Sequence, residues 1–393
     1  LKVYFVFFDS ISPGKRGNFL FSGWQNRVSK EFKKYHPEIE VHVVQPERLL
    51  AKEYHFTDEL LIHHHLFPAL PLLFGHDLSL GLLSFVRKAA REKCIIILFE
   101  YHTLQNLFIA RFLKGNSKLI GQQLGGLPFE IKAQYRRDWG ALNRAFAKFA
   151  SGFELAWLKK IDYFITNSSA EKEWLVSRIR AAPKNIEIVQ MGVDFERNTP
   201  PNDKHEAKAK LGLDPKKKHV MCYGGVGKGS LVLLEAVGKI NDPNTVAMLV
   251  DPDSQTEKTA GALGSRAVVF KSVSNMPDCI RAADLLVSLW EGVVPGKCWH
   301  GIGLVLAEAM ACNIPVIANT LGDYDLLSGK KPYLGPEFYF SGTDSNLLAS
   351  KIGEILSKPG KNPYPALREK MLLFHDWEKK ADNLAEVCKH LLG

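Results

Sequence analysis

The sequence contains no run of about 18 uncharged apolar residues, the length a membrane-spanning helix needs, so a spanning helix is not expected. Its six cysteines, at 94, 222, 279, 298, 312 and 388, include no pair two or three residues apart. That excludes zinc-ribbon and paired-thiol redox chemistry, and buried free thiols in a reducing compartment are expected. The basic residues are dispersed, with no basic run interleaved with aromatics, so nucleic acid is not an expected partner. The first loop, DSISPGKRGNF at 9–19, lacks the Gly-x-Gly-x-x-Gly of a dinucleotide-binding turn, which argues against a dehydrogenase. No carboxylate pair with the setting of a glycoside hydrolase can be identified, and there is no short repeat or low-complexity tract.

What is present is an ordinary globular composition over 393 residues, with 46% apolar and 24% charged residues. At roughly 150 residues per domain this length suggests two domains. The net charge is 51 − 42 = +9, and it is uneven. Residues 1–200 hold 28 Lys/Arg and 20 Asp/Glu, a balance of +8, whereas residues 201–393 hold 23 and 22, a balance of +1. A basic first half fits either a solvated surface or an anionic partner such as a phosphate-bearing acceptor or an acidic lipid leaflet. The apolar N-terminal run reads as a first buried strand and is too short for a signal-peptide core, so a cytoplasmic location is expected, with peripheral contact at the inner membrane face as the alternative.

Apolar runs of strand length alternate with helical patterns. Strands are expected at 2–8, 39–44, 95–99, 118–123, 163–167 and 186–191, with a helix from about Ser22 to Tyr35. The polar, Pro-containing segment 197–218 reads as a linker and short helix. The pattern then restarts, with strands at 219–225, 245–251, 267–270, 285–289 and 314–319. This order predicts an α/β protein of two doubly wound parallel-sheet domains, at 1–197 and 198–376, facing a central cleft. An amphipathic helix over 377–393 is expected to return to the N-terminal domain. The segment 60–86 is unusually apolar but broken by Pro68, Pro71, Gly75 and Asp77. It reads as a packed helix and loop, with contact to membrane or a lipid acceptor as the alternative. His63, His64 and His65 are adjacent, so their side chains are expected to diverge rather than converge on one ion.

Two glycine-rich turns point to a phosphate-bearing ligand. YGGVGKGS, 223–230, follows a strand and precedes an apolar helix. Its glycines let backbone amides approach an anion, and Lys228 adds a charge. It is not a P-loop, because Gly229 rather than Ser or Thr follows the lysine. In HGIGLVLAEAMACNIPVIAN, 300–319, a Gly-Ile-Gly turn precedes a helix from about Leu304. The first amides of a helix have no internal partner, and its positive end favours an anion by about 0.3–1 kcal/mol. Glu308 lies one turn further on, where a carboxylate can accept two ribose hydroxyls.

With FITNSSAEKEWL (164–175), MGVD (191–194) and AADLLVSL (282–289), these motifs stand in the order found in retaining glycosyltransferases of the GT-B fold, and the sequence resembles their family 4, the glycogen-synthase and sucrose-synthase type group. The resemblance spans nearly the whole chain. It implies transfer of a hexosyl group from a UDP-, GDP- or ADP-sugar, which is a substrate rather than a cofactor, to an acceptor hydroxyl with retained configuration and no metal. The acceptor, a glycan or lipid-linked molecule, would be held mainly by the N-terminal domain. By matching position, Lys228 and the amides of Gly303, Leu304 and Val305 would hold the donor phosphates, with Ser22 and Gly23 approaching from the first helix. Glu308 would hold the ribose, Val273 the base through its backbone, and His300, Gly301 and Ile302 the transferred sugar. His102, Lys228 and His300 are the implied reaction-centre residues, with Gln123 to Gly125 a further candidate position.

The sequence departs from the family pattern at named places. His300 stands where the family has the first Glu of its Glu-seven-residues-Glu motif; Glu291 in the loop 291–299 can substitute for it, and Lys297 in the same loop can add a phosphate contact. Tyr223 stands where an Arg usually precedes the phosphate-loop lysine. These departures leave a second reading, a catalytically impaired nucleotide-sugar-binding or partner protein of the same fold.

Overall fold

Strands buried on both faces need apolar residues at every position, and the chain supplies them as short continuous runs. In the computed structural model, which describes all residues except 8–23, 49, 72–76, 114, 124, 136–139, 272, 274, 291–298, 300, 359–363 and 365 and the side chains of 24–26, 135 and 226, these runs build two sheets in two units. One unit is Leu1–Met191 with Trp377–Gly393, the other Gly192–Asp376.

The first unit contains β1 (Lys2–Val6), α1 (Trp24–Tyr35), β2 (Glu40–Glu47), β3 (Tyr54–Thr57), β4 (His63–Pro68) and a short antiparallel pair, β5 (Leu70–Pro71) and β6 (Asp77–Leu78). There follow α2 (Leu80–Ala89), β7 (Ile95–Phe99), α3 (Leu104–Phe112), β8 (Lys118–Gln122), α4 (Phe129–Tyr135), α5 (Ala141–Leu158), β9 (Tyr163–Thr166), α6 (Ser169–Trp174) and β10 (Ile186–Ile188). The 8-stranded sheet runs β10-β9-β8-β7-β1-β2-β4-β3 and is parallel except for the edge strand β3. All five residues of β7 are buried.

The second unit contains α7 (Lys204–Lys210), β11 (Lys218–Tyr223), α8 (Ser230–Lys239), β12 (Thr245–Val250), α9 (Ser254–Ala262), β13 (Ala267–Phe270), α10 (Met276–Ala282), β14 (Leu285–Ser288), α11 (Leu304–Ala311) and β15 (Val316–Ala318). Helices α12 (Gly322–Ser328), α13 (Ser345–Ser357) and α14 (Leu367–His375) complete it. Its sheet is wholly parallel in the order β13-β12-β11-β14-β15. The last helix, α15 (Trp377–Leu392), belongs to the first unit. There Ala381, Leu384, Ala385 and Cys388 join the core formed by Val3, Phe5 and Phe32, and His36 meets Asp382 at 3.1 Å.

The segment 60–86 differs from expectation. It contributes strand β4 and only later the helix α2. Three successive histidines hide the period-2 signal there, because burial alternates within one residue type. The same alternation sets how the three diverge. His64 points one way, to Asp58 at 2.9 Å, while His63 and His65 share the other face with His42 and His55. On that face His42 Nδ1 lies 2.9 Å from His65 Nε2, and His55 Nδ1 lies 3.0 Å from His65 Nδ1. Among the described residues no group of His, Cys, Asp and Glu is placed to hold a metal ion, and no helix is long and apolar enough to cross a membrane. The five described cysteines are free and buried; Cys298 lies outside the described residues.

Candidate active site

In an open parallel sheet, ligands collect outside the carboxyl ends of the strands where the strand order reverses. In the second unit that point lies between β11 and β14, since the chain winds from β11 through β12 to β13 and then returns to β14 on the other side. Both glycine-rich turns arrive there. Beyond β11, a single 3-10 turn (Val226–Lys228) leads into α8. Beyond β14, the chain reaches Gly301 and Gly303 before α11. The two are joined directly, because the Leu289 N–H donates to the Lys228 carbonyl at 2.9 Å.

The N-termini of these two helices differ from three others in the unit, although α10, α12 and α14 are also without a side-chain cap. Helices α7, α9 and α13 are capped by Asp203, Asp253 and Asp344, whose carboxylates accept hydrogen bonds from first-turn amides. Helices α8 and α11 start at Gly229 and Gly303, and neither receives a side-chain cap. First-turn amides without a carboxylate over them are open to an external anion. Gly229 is required by geometry: its φ is +83°, and a Cβ there would lie 2.6 Å from Leu289 Cβ.

Between these helix ends stands Lys228. Its Nζ lies 2.7 Å from the centre of the Trp290 ring, a cation over an aromatic face. Trp290 is held by Asn319 at the end of β15, which accepts from its N–H at 3.0 Å and donates to its carbonyl at 2.9 Å. Sequence reasoning missed Trp290, although it directly follows the strand AADLLVSL. Leu304 and Val305 form the first turn of α11, and Glu308, half-buried, follows one turn later. Tyr223 ends β11, and its phenol is pushed up first by burial, then by the charges of Asp251 and Glu308. The Ile302 side chain is 2% exposed and sits in the hydrophobic core, so this residue presents backbone to the turn. Gly301 has a left-handed φ of +59°. Val273 is half-buried just beyond β13. Ser22, Gly23, Glu291, Lys297 and His300 lie outside the described residues.

The first unit has its own polar cluster at the carboxyl ends of β7 and β8. His102, expected at a reaction centre, is 1% exposed. Its Nδ1 lies 2.7 Å from Glu154 and its Nε2 3.1 Å from Glu171, so neither ring nitrogen is left for a substrate in this arrangement. Burial works to lower the imidazole pKa, but the Glu154 charge and the hydrogen bonds to both carboxylates outweigh it and hold it up at about 9. Glu171 also accepts from the Tyr101 hydroxyl, and Glu154 from the Phe129 N–H at 2.9 Å. Beside them Glu100, in a left-handed conformation with φ +56°, accepts from the Gly126 N–H at 2.8 Å. Burial and the Glu171 charge push its carboxyl up to about 7. Gln123 is fully buried and donates to the Gly126 carbonyl; its Oε1 finds no partner among the described residues. Gly125 is half-buried beside it. Glu154 and Glu171 were not singled out from sequence, because they lie 52 and 69 residues from the histidine they hold.

Comparison with known proteins gives these features a context. The family model described as "Glycosyl transferases group 1" matches residues 217–358, and that of "Glycosyltransferase Family 4" matches residues 27–197. The chain is 31% identical over 160 residues to a lipopolysaccharide core biosynthesis mannosyltransferase, LpsB, of Rhizobium meliloti, an alignment covering 36% of this chain and 43% of that protein. It is 31% identical over 247 residues to a D-inositol 3-phosphate glycosyltransferase of Rhodococcus jostii, covering 57% and 52%. The chain thus spans about half or less of the length of these curated relatives. Among solved structures, a sucrose-phosphate synthase of Thermosynechococcus elongatus superposes with a TM-score of 0.70 at 17% identity, over 99% of this chain and 98% of that one. Anabaena HepE, in complex with UDP and glucose, superposes with a TM-score of 0.68 at 18% identity, over 98% and 99%.

Proposed function

We infer that this chain, which belongs to the glycosyltransferases of group 1 and family 4 and has their GT-B fold, moves a hexosyl group from a nucleotide-diphosphate sugar to an acceptor hydroxyl with retention of configuration. The observation that carries the reading is the pair of helix N-termini without side-chain caps flanking Lys228 at the switch point of the second sheet. Such a place suits a pyrophosphate: it offers an ammonium and two sets of backbone amides, all fixed before a ligand arrives.

In this reading Lys228 and the amides of Gly303, Leu304 and Val305 hold the diphosphate. Glu308 accepts the ribose hydroxyls, Val273 meets the base through its backbone, and Gly301 and Ile302 border the sugar. By position in the family pattern His300 is assigned to the sugar, with Glu291 as its substitute and Lys297 as a further phosphate contact. The bond from the anomeric carbon to the β-phosphate oxygen breaks and the bond to the acceptor oxygen forms on the same face. The acceptor proton passes to the departing phosphate. Charge grows on that phosphate in the transition state, so fixed donors stabilise it there more than in the ground state. We assign His102 to positioning: as an imidazolium between Glu154 and Glu171, it holds the strand ends that carry Glu100, Gln123 and Gly125 on the acceptor side. The basic surplus of the first 200 residues favours an anionic or lipid-linked acceptor.

The test is nucleotide binding by calorimetry with UDP-, GDP- and ADP-sugars, followed by transfer or slow release of the nucleotide diphosphate. One nucleotide should bind, and Glu308→Gln should weaken it about tenfold or more, since hydrogen bonds to a charged group contribute about 1.5–3 kcal/mol. Unchanged affinity in that variant removes the ribose role. Binding without turnover for every sugar identifies a non-catalytic binder instead.

A further inference from the structure

Three helices of the first unit, α2, α3 and α5, leave apolar side chains in solvent on a scale that single surface residues do not explain. On α5, Leu142, Phe149, Phe153 and Trp157 fall at steps of seven, four and four, which is one stripe of a helix. Leu142 is 76% exposed, Phe149 67% and Phe153 42%. The stripe is a continuous run of rings. Phe149 and Phe153 are 4.9 Å apart, Phe153 and Trp157 5.2 Å, and Trp157 and Phe108 of α3 5.5 Å. Phe108 stacks on Phe112 at 6.1 Å, and Phe112 is 56% exposed. Phe108 and Phe112 in turn form one wall of a groove of 410 Å³ whose other wall is Leu80 and Leu83 of α2.

The exposed charge carried on these three helices has one sign, although exposed Glu53 lies beside Gly81 of α2 and exposed Glu92 follows it. Helices α2 and α3 carry Arg87, Lys88 and Arg111 and no acidic residue. Helix α5 carries exposed Arg144 and Lys148, is followed by exposed Lys159 and Lys160, and has a single acid, Glu154, which is wholly buried against His102. Arg111 also lies over the Phe112 ring, 5.5 Å from its centre. A soluble partner protein would be expected to meet a mixed rim. Helices that carry aromatic rings among Lys and Arg, with no exposed carboxylate of their own, instead have the chemistry of the boundary between headgroups and acyl chains, where rings enter and cations meet lipid phosphates.

We propose that the face formed by α2, α3 and α5 seats the protein on an anionic lipid bilayer, with Phe112, Phe149, Phe153 and Leu142 entering the interface. The contact is peripheral. It overlaps the segment 60–86, for which membrane contact was the alternative expectation, only at the start of α2; strand β4 of that segment lies inside the sheet. The proposal does not rest on sugar transfer and stands or falls separately.

The test is sedimentation of the full chain with vesicles of phosphatidylglycerol and phosphatidylcholine against vesicles of phosphatidylcholine alone. Binding is expected only with the anionic lipid and should weaken with salt. Arg144→Gln combined with Lys148→Gln should weaken it about thirtyfold, from about 1 kcal/mol per basic residue near an anionic surface. Phe149→Ser combined with Phe153→Ser should abolish it while lowering the thermal midpoint only slightly and leaving nucleotide binding unchanged, since the two side chains are already 67% and 42% exposed. Absence of binding to anionic vesicles overturns the proposal. So does undiminished binding by the double phenylalanine variant, or equal binding to phosphatidylcholine alone. A wild type that is dimeric in solution and becomes monomeric in that variant also overturns it, because the face is then a subunit interface.

Discussion

Replacing Lys228 by Ala separates what the phosphate turn needs for folding from what it needs for chemistry. The turn is held by its backbone: the Lys228 N–H donates to the Gly225 carbonyl at 2.9 Å, and its carbonyl accepts from Leu289 at 2.9 Å. Alanine keeps both. The structural loss includes the ammonium over Trp290, 2.7 Å from the ring centre, a contact of about 0.5–2 kcal/mol. For a unit of this size about 1 kcal/mol moves the melting midpoint by about 2–4 °C, so the variant should melt only slightly below wild type. The catalytic loss is larger. An ammonium that meets charge developing on a departing phosphate acts like other fixed donors at such sites, whose removal costs about 2.7–4 kcal/mol, or about 10²–10³ in kcat. The assay is release of nucleotide diphosphate in the presence of acceptor, with far-UV circular dichroism and a melting curve on the same preparation. A variant that melts normally and turns over within about fivefold of wild type refutes the electrostatic argument. A variant that is largely unfolded refutes the structural half.

Two further outcomes follow from geometry in each unit. Gly229→Ala places a Cβ 2.6 Å from Leu289 Cβ in a left-handed backbone; strain of about 1–2 kcal/mol and overpacking of about 1–3 kcal/mol should appear in urea unfolding, and a loss under about 0.5 kcal/mol, the size of an ordinary surface change, contradicts the packing described. In the first unit, the His102 pKa is raised from 6.5 to about 9, so its stabilisation is complete below pH 6.5 and is lost as pH rises through 9. Glu100, raised from 4.5 to about 7, acts in the same sense over the lower window. Unfolding free energy should therefore fall between pH 6.5 and 9 in wild type. In His102→Leu it should start about 3–5 kcal/mol lower, as for a broken buried ion pair, and lose that slope; a wild type that is flat over this range shows that His102 is not charged in the folded state.

Local pattern carried a large part of the fold. The runs at 95–99 and 267–270 are strands over the expected residues, and most other strands shift by one or two positions at an end. A parallel strand covered on both faces advertises itself in any five-residue window, because nothing polar is tolerated at any position. Strands β3 and β4 escaped because β3 is an antiparallel edge, half in solvent, and β4 opens with three histidines, so apolar alternation had nothing to act on. The two glycine turns were visible for the same local reason: a strand, a glycine run and an apolar helix follow one another within about twenty residues.

The amino-acid sequence on its own thus determined the doubly covered parallel strands, the glycine turns and the family, because each is written in neighbouring residues. Only the tertiary structure decided which side chains meet across the chain. It put Trp290 under Lys228, locked His102 between carboxylates 52 and 69 residues away, and turned the rings of Phe149 and Phe153 outward beside those of α3. Sheet order sets those neighbours, and sheet order arises from burying all the strands at once, a collective constraint that no short stretch of chain records.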